Sequence, residues 1–319
     1  MKAAVRSEYG PPEVLKIKEV ETPTPGKNDL LISVQATTVN RSDYHVLTGK
    51  PLFMRLFTGF FKPRLASTGC DFAGTVEQAG KEVTSFRIGD RVMGFGDVIG
   101  IGTHAQFVTI GENAGVVHMP ESLTFQEAAA CIEGAYYASV PIRKIKPTAG
   151  QKALVYGATG AIGSSYLQFL KYYHVYTTAV CNTKDFDLAK SLGADRCIDY
   201  KKEDFTKDNE RYDFVFDAVG KRSFYDCKVL MKEKGSYMSS GGLINILPTL
   251  YTPLLGGKRA LFIPPTDIKG GLLFIKELIE KGKFKPVIDR VYPLERITEA
   301  YNYVATGEKI GNVVLSIEH

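Results

Sequence analysis

Cysteine is scarce in this chain and poorly arranged for cross-linking. The five are Cys70, Cys131, Cys181, Cys197 and Cys227. An odd number with no C-x-x-C pair argues against a disulfide framework and against a zinc knuckle, so a reducing compartment, the cytoplasm, is expected. No uninterrupted apolar run reaches the length of a membrane-crossing helix. The opening residues, Met1-Lys2-Ala3-Ala4-Val5-Arg6, read as a strand with no apolar segment of a secretory signal behind them. Positive charge is not concentrated either. The net charge of +5 is spread along the chain, where a nucleic-acid partner would call for a stripe or patch. No internal repeat or low-complexity tract stands out.

What is present suits two globular domains in 319 residues, 44% hydrophobic and 24% charged. Residues 1 to about 120 carry short alternating runs, at 30–39, 72–78 and 105–110, between Gly and Pro punctuation such as Gly10-Pro11-Pro12 and Gly89-Asp90. Short strands between turns predict a small barrel or sandwich. At Ser122, a suitable helix N-cap, the rhythm changes to strands and helices in alternation. Strands are expected at 153–156, 176–181, 196–199, 214–217, 235–239 and 260–263, and helices near 161–173, 185–192, 222–231 and 268–281. Such alternation predicts a doubly wound parallel sheet. The closing stretch returns to the first style, with a helix near 297–306 and a strand at 312–317. The expected class is α/β. One β-rich domain comprises 1–121 and 284–319, and 122–283 form the dinucleotide-type domain.

The second domain starts on Ala153 to Tyr156, an apolar run that breaks into Gly157, Gly160 and Gly163 and then a helical pattern. Glycines let a backbone approach a pyrophosphate, and a helix N-terminus offers free N–H groups and a positive dipole end. The G-x-G-x-x-G spacing is not met, because Ala158 stands at its first position. An acid for the ribose 2′-OH is expected about 20 residues on, at the end of the second strand. The chain there reads Val180-Cys181-Asn182-Thr183-Lys184. Lys184 puts a cation where a 2′-phosphate would lie, so NADPH is expected over NADH. Asp185 belongs to the first turn of the next helix, where an anion suits the dipole.

Two apolar stretches are unusual. Residues 52–65 include Phe53, Leu56, Phe57, Phe60 and Phe61 among cations, and residues 243–255 include Ile244, Leu247, Leu250 and Leu254. Core packing is the expected role of each. An apolar substrate is the functional alternative. The aromatics and cations of 52–65 also suit a membrane surface, but Pro51 and Pro63 limit a long helix and favour a substrate lid.

Four stretches carry a resemblance: Asn40-Arg41-Ser42-Asp43, Gly69-Cys70-Asp71-Phe72-Ala73-Gly74, Gly89-Asp90-Arg91-Val92, and Gly157 to Gly163. Phe216 to Gly220 and Gly311 to Val314 also fit. In order and spacing the chain resembles the medium-chain dehydrogenase/reductase superfamily, and within it the zinc-independent quinone oxidoreductase-like branch. The resemblance runs over essentially the whole chain. It implies a GroES-like catalytic domain, a Rossmann domain and a cofactor between them. Asn40 occupies the place of a zinc-ligand cysteine and Cys70 that of a ligand histidine. Asp71 stands for the following glutamate, and the third ligand position falls near Ile132 or Glu133. Met93 to Gly115 has none of the cysteines of the structural zinc lobe. No metal is therefore expected; Cys70, Asp71 and His45 are the residues an improvised site would use.

Without a metal, neutral donors must polarise the substrate oxygen. The resemblance places Ser42 and His45 at the proton-relay positions of the zinc alcohol dehydrogenases, with Tyr44 beside them. Asn40, Tyr44 and His45 are expected to line the substrate end, with Asp43 structural. By the same resemblance Thr159, Gly160, Ala161 and Ile162 contact the pyrophosphate, and Tyr200 joins Lys184 at the 2′-phosphate. Ser239, Ser240 and Gly241 lie at the nicotinamide, and Gly311 with Asn312 close on the cofactor. The expectation is an NADPH-dependent reductase of small apolar quinones or α,β-unsaturated carbonyls, joined as a homodimer through the strand at 260–263. The alternatives are a secondary alcohol dehydrogenase or carbonyl reductase and a non-catalytic NADPH-binding protein.

Overall fold

The alternating run expected at 30–39 is the strand around which the first sheet is assembled. In the computed structural model, which describes residues 1–96 and 100–319, the chain divides into two units: Met1–Glu133 with Asp267–His319, and Gly134–Thr266. The strands of the first unit are β1 (Lys2–Val5), β2 (Lys16–Glu19), β3 (Asp29–Val39), β4 (Asp71–Ala79), β5 (Arg91–Phe95), β6 (Phe107–Gly111) and β7 (Val116–His118). Once the chain has returned from the second unit it adds β14 (Ile288–Pro293) and β15 (Asn312–Ser316). The sheet path runs β14-β15-β3-β4-β5-β7, with β6 also on β3. Leu30, Ile32 and Val34 of β3, Phe72 and Val76 of β4, and Val313 and Leu315 of β15 share one core. Each such side chain stabilises the fold by about 1.5–3 kcal/mol when fully buried.

The helix Phe125–Ala130 packs on β3, β4 and β15. It begins at Thr124, whose hydroxyl accepts from the Glu127 N–H while Glu127 answers with its carboxylate. That reciprocal pair supplies the N-cap expected of Ser122. Helix Ile268–Glu280 likewise packs on β7. Residues 122–133 and 267–283, expected with the dinucleotide domain, therefore belong to the first unit.

In the second unit β8 (Lys152–Tyr156), β9 (Tyr176–Cys181), β10 (Arg196–Asp199), β11 (Tyr212–Asp217), β12 (Met231–Ser239) and β13 (Arg259–Ala260) form a parallel sheet in the order β10-β9-β8-β11-β12-β13. The chain starts in the middle, winds outward through β9 and β10, then crosses to β11 and winds the other way. The switch falls between β8 and β11, whose ends Tyr156 and Asp217 are register partners. Ligands of such sheets bind beyond the strand C-termini at that point. The expected strand at 260–263 is cut to Arg259–Ala260 plus one bond from the Leu261 N–H to the Tyr237 carbonyl. Pro264 and Pro265 prevent its extension.

The two apolar stretches are not core. Phe60, Phe61, Leu250 and Leu254 are among their exposed side chains. Among the described residues no helix is long and apolar enough to cross a membrane.

Candidate functional site

The turn after β8 is built by glycines doing different jobs. Gly157 takes φ +76°, a left-handed conformation that suits glycine, and a Cβ there would meet Val219 Cγ2 at 2.3 Å. The left-handed residue thus sits one place before Ala158, which is buried. Gly163 lies in the first turn of helix Ala161–Tyr172, where a Cβ would stand 2.1 Å from the Gly157 carbonyl oxygen. It lets helix and strand touch. Gly160 is the N-cap, with ordinary φ −75°, and an added Cβ would find nothing closer than 3.5 Å. Its role is to have no side chain. The helix then starts without a side-chain cap, and the first-turn N–H groups remain for a ligand. Thr159 and Ala161 are buried around this turn and Ile162 is half-buried.

The neighbouring strand ends face the same side of the sheet. Asp217 Oδ1 accepts from the Val219 and Gly220 N–H groups at 2.9 and 2.8 Å, and Oδ2 from the Arg222 N–H at 2.9 Å. This fixes the loop that packs on Gly157. Gly220 in turn lies against Gly241, past the end of β12, where a Cβ on Gly220 would meet the Gly241 Cα at 3.0 Å. Ser239 donates to the Gly241 carbonyl at 2.7 Å, and the Ser240 N–H donates to the Asp217 carbonyl. The expected nicotinamide residues are thus joined to the expected pyrophosphate turn through the loop after Asp217.

Lys184 is exposed in the short turn Thr183–Asp185 after β9 and makes no ion pair among the described residues. Asp199, ending β10, receives the Thr183 hydroxyl and N–H and the Lys201 N–H. That carboxylate braces the turn carrying Lys184. Tyr200 is half-exposed next to it and meets Tyr156 edge to face, with centroids 6.3 Å apart. No acid stands at the tip of β9, as expected.

The first unit holds a different kind of site at the start of helix Arg41–Thr48. Asn40 caps it; its N–H donates to Asp43 Oδ2 at 2.8 Å and its amide to Thr38 Oγ1 at 2.5 Å. Ser42 donates to Glu133 Oε1, and the Cys70 thiol to Glu133 Oε2 at 3.3 Å. Asp71 receives the Thr38 N–H, the Thr38 hydroxyl and the Thr37 hydroxyl. Three buried carboxyl groups and a thiol thus share one hydrogen-bonded cluster. Burial pushes the Glu133 carboxyl up to about 7, with the Asp71 charge adding to it. Burial raises Asp71 to about 6 and Asp43 well above the ordinary carboxylate range. It also lowers Lys309, the nearby cation, to about 8.

Tyr44 and His45 follow on the same helix. Both are half-buried, and the Tyr44 hydroxyl has no hydrogen-bond partner among the described residues. His45 Nδ1 is buried without a partner, and burial lowers the pKa of the ring, so it is neutral at pH 7. In contrast Asn312, expected at the cofactor, donates its amide to the Ala130 and Val287 carbonyls at 3.0 and 3.1 Å. Gly311, at φ +64°, packs against Val287. The site residues divide between the units: Asn40, Tyr44, His45, Gly311 and Asn312 in the first, the remainder in the second.

Asp43, Cys70 and Glu133 place one ligand atom each within 4.8 Å of one another, so they, rather than Cys70, Asp71 and His45, are the set a cation would have to use. Their chemistry does not fit a catalytic zinc. The set has no imidazole. Its thiol is held protonated, well above its ordinary range, by burial and by Asp43, Glu133 and Asp71. Cys70 and Ser42 already occupy both Glu133 oxygens. The resemblance set Cys70 and Ile132 or Glu133 at metal-ligand positions and Asp43 in a motif beside them, which foreshadowed the cluster; Lys309 carried no such signal.

Comparison with known proteins is consistent with this geometry. A family model described as the alcohol dehydrogenase GroES-like domain matches residues 26–121, and one described as zinc-binding dehydrogenase matches residues 192–315. A 2-methylene-furan-3-one reductase of Solanum lycopersicum is 31% identical, the match covering 99% of this chain and 79% of that protein. An NADPH-dependent alkenal/one oxidoreductase of Arabidopsis thaliana chloroplasts is 30% identical with the same coverage. The structure of the quinone oxidoreductase from Coxiella burnetii superposes with a TM-score of 0.89 at 26% identity, over 100% of this chain and 99% of that one. The chain belongs to the medium-chain dehydrogenase/reductase superfamily, in its quinone oxidoreductase-like branch.

Proposed function

We propose that this protein is an NADPH-dependent, metal-independent reductase of quinones or α,β-unsaturated carbonyl compounds, a cytoplasmic homodimer. Family membership makes it an NAD(P)H-dependent oxidoreductase; the choice of cofactor and acceptor is the reading advanced here. The observation that carries it is the uncapped helix at Gly160 with the exposed, unpaired Lys184 at the next strand tip. The first suits a pyrophosphate, and the second suits a 2′-phosphate better than a bare 2′-hydroxyl.

When bound, the nicotinamide supplies a hydride. Thr159 to Ile162 would hold the cofactor's pyrophosphate, Asp217 orders the loop packed on that turn, and Ser239 to Gly241 would receive the nicotinamide. The Tyr44 hydroxyl, which no described protein group uses, and neutral His45 beside it would meet an acceptor oxygen. That suits an acceptor whose negative charge develops on an oxygen remote from the carbon receiving hydride, as in an enone or a quinone. Neutral donors are then enough to polarise it. Asn40 and Ser42, hydrogen-bonded inward, hold the helix that carries Tyr44 and His45.

Fluorescence titration with both reduced cofactors tests the cofactor choice: tighter binding of NADPH is expected, and a clear NADH preference ends this reading. Tyr44→Phe with His45→Ala should lower turnover on enones at unchanged NADPH affinity. Stoichiometric zinc in the purified protein would overturn the metal-free part.

A further inference from the structure

Residues 50–65 form a built platform whose apolar side faces outward. Leu52–Met54 and Arg55–Thr58 make two short helical turns, closed by the Gly59 N–H donating to the Arg55 carbonyl at 2.9 Å. Gly59, at φ +120°, reverses the chain, and a Cβ there would stand 2.1 Å from the Lys62 carbonyl oxygen. The returning chain is pinned by the Arg64 N–H donating to the Thr58 carbonyl at 2.8 Å. From beneath, the Tyr9 hydroxyl reaches Thr58 Oγ1 at 2.7 Å and the Gly59 carbonyl at 2.6 Å. Arg55 stacks over the Tyr9 ring at 4.6 Å. The backbone is therefore satisfied and anchored, and the outward side chains are not waiting to fold into the unit. Leu52 is 70% exposed and Phe61 90%, with Leu56, Phe57 and Phe60 between them.

Within this segment the charge has one sign. Between Asp43 and Asp71 the chain has no acid, and Lys50, Lys62 and Arg64 are exposed without an ion pair among the described residues. The geometry points to an anionic lipid surface as the occupant of this platform, with Phe57, Phe60 and Phe61 entering the headgroup–acyl boundary and the three cations meeting lipid phosphates and carboxylates. The outward apolar residues are Leu and Phe, without a hydrogen-bonding tip. Hot spots of protein interfaces favour Tyr, Trp and Arg and under-use Leu, whereas a Leu- and Phe-rich face rimmed by Lys and Arg suits an anionic bilayer interface. Each cation near an anionic leaflet strengthens binding about fivefold. This inference is independent of the cofactor and acceptor proposed above.

The test is co-sedimentation of the full-length protein with phosphatidylcholine vesicles, with and without phosphatidylserine, against a vesicle-free control. Binding to the anionic vesicles and little to the neutral ones is expected. Phe60→Ser with Phe61→Ser should weaken it about tenfold or more, and Lys62→Gln with Arg64→Gln about fivefold for each charge removed. Nicotinamide affinity should be unchanged in both, which also shows that they fold. Three results would overturn the inference. The protein stays in solution with anionic vesicles; the phenylalanine pair pellets like the parent chain; or that pair raises KM for apolar acceptors or splits a dimer while the parent chain ignores vesicles, which assigns the platform to a substrate lid or a second copy.

Discussion

At the turn after Tyr156 a helix begins with no side chain to cap it, whereas around Glu133 each buried carboxyl already has a protein donor. The two regions lie in different units and treat their polar groups in opposite ways. Elsewhere in the chain helices do receive caps: Thr124 with Glu127, and Ser223 with Asp226, close their own first turns. Helices Phe186–Leu192 and Ile297–Thr306 also begin without a side-chain cap, so what sets Gly160 apart is its place: its free N–H groups follow the glycine turn at the switch point of the parallel sheet. The Glu133 cluster teaches the reverse. Groups that look like metal ligands in sequence can instead be spent on one another.

The largest effect should come from closing the glycine contact. Gly163→Val pushes side-chain carbon into the Gly157 carbonyl and Ala158. A loss of about 3 kcal/mol or more in urea unfolding is expected, with NADPH binding abolished. Next is acid. His104 is buried, with Nε2 on the Thr38 carbonyl at 2.9 Å and Nδ1 on Thr68 Oγ1 at 2.8 Å, and burial lowers its pKa to about 4. The unfolded chain takes up that proton near pH 6.5 and the native one does not. Stability from this group is thus complete above about 6.5 and falls by about 3 kcal/mol as pH drops towards 4. Comparing His104→Gln with the parent chain across that range should show the slope removed.

Gly160→Asp separates binding from stability at the uncapped turn. There is room for the side chain, which should cap the helix and raise the melting temperature slightly, while NADPH affinity falls about a hundredfold, or 2.7 kcal/mol. Weakening of both at once would mean that Gly160 serves packing and the contrast drawn here is false. Lys184→Ala should cost about tenfold in NADPH affinity and leave NADH binding unchanged. Comparable in size to the His104 effect and opposite in sign is that of Glu133→Gln. In the parent chain the carboxyl is raised to about 7, so the native state holds a proton that the unfolded state releases near its ordinary 4.5, and stability declines as pH rises through 7. The amide should flatten that decline between pH 5 and 8 in thermal melts.

The sequence carried the two-domain plan because its periodicities differ: alternation with Gly and Pro turns before residue 120, strand–helix alternation after it. The Gly157 to Gly163 turn was equally legible, down to the absent acid at the end of β9. Lost at that level were contacts between distant residues. Nothing local in Glu133 says that Ser42 and Cys70 will donate to it from 91 and 63 residues away. Nor does Ser122 reveal that Thr124, with a glutamate three places on, makes the better cap. The stretches 52–65 and 243–255 were misjudged as core for a similar reason. Apolar composition measures how much surface a segment would hide, and only the fold decides whether a neighbour is there to hide it.

β15 has a consequence for how the protein is made. It lies between β14 and β3, pairing Val313 with Val39 and Leu315 with Thr37, and its Val313, Val314 and Leu315 are wholly enclosed. The second unit is one continuous stretch, free to fold as soon as it clears the ribosome. In the first unit β6 covers residues 29–33 of one edge of β3 early, but residues 36–39 of that edge stay open until β15 emerges from the far end of the chain. During that wait the nascent protein presents the unpaired backbone of Ala36 to Val39 to the cell, and the early-finished unit is tethered to one whose sheet is still incomplete.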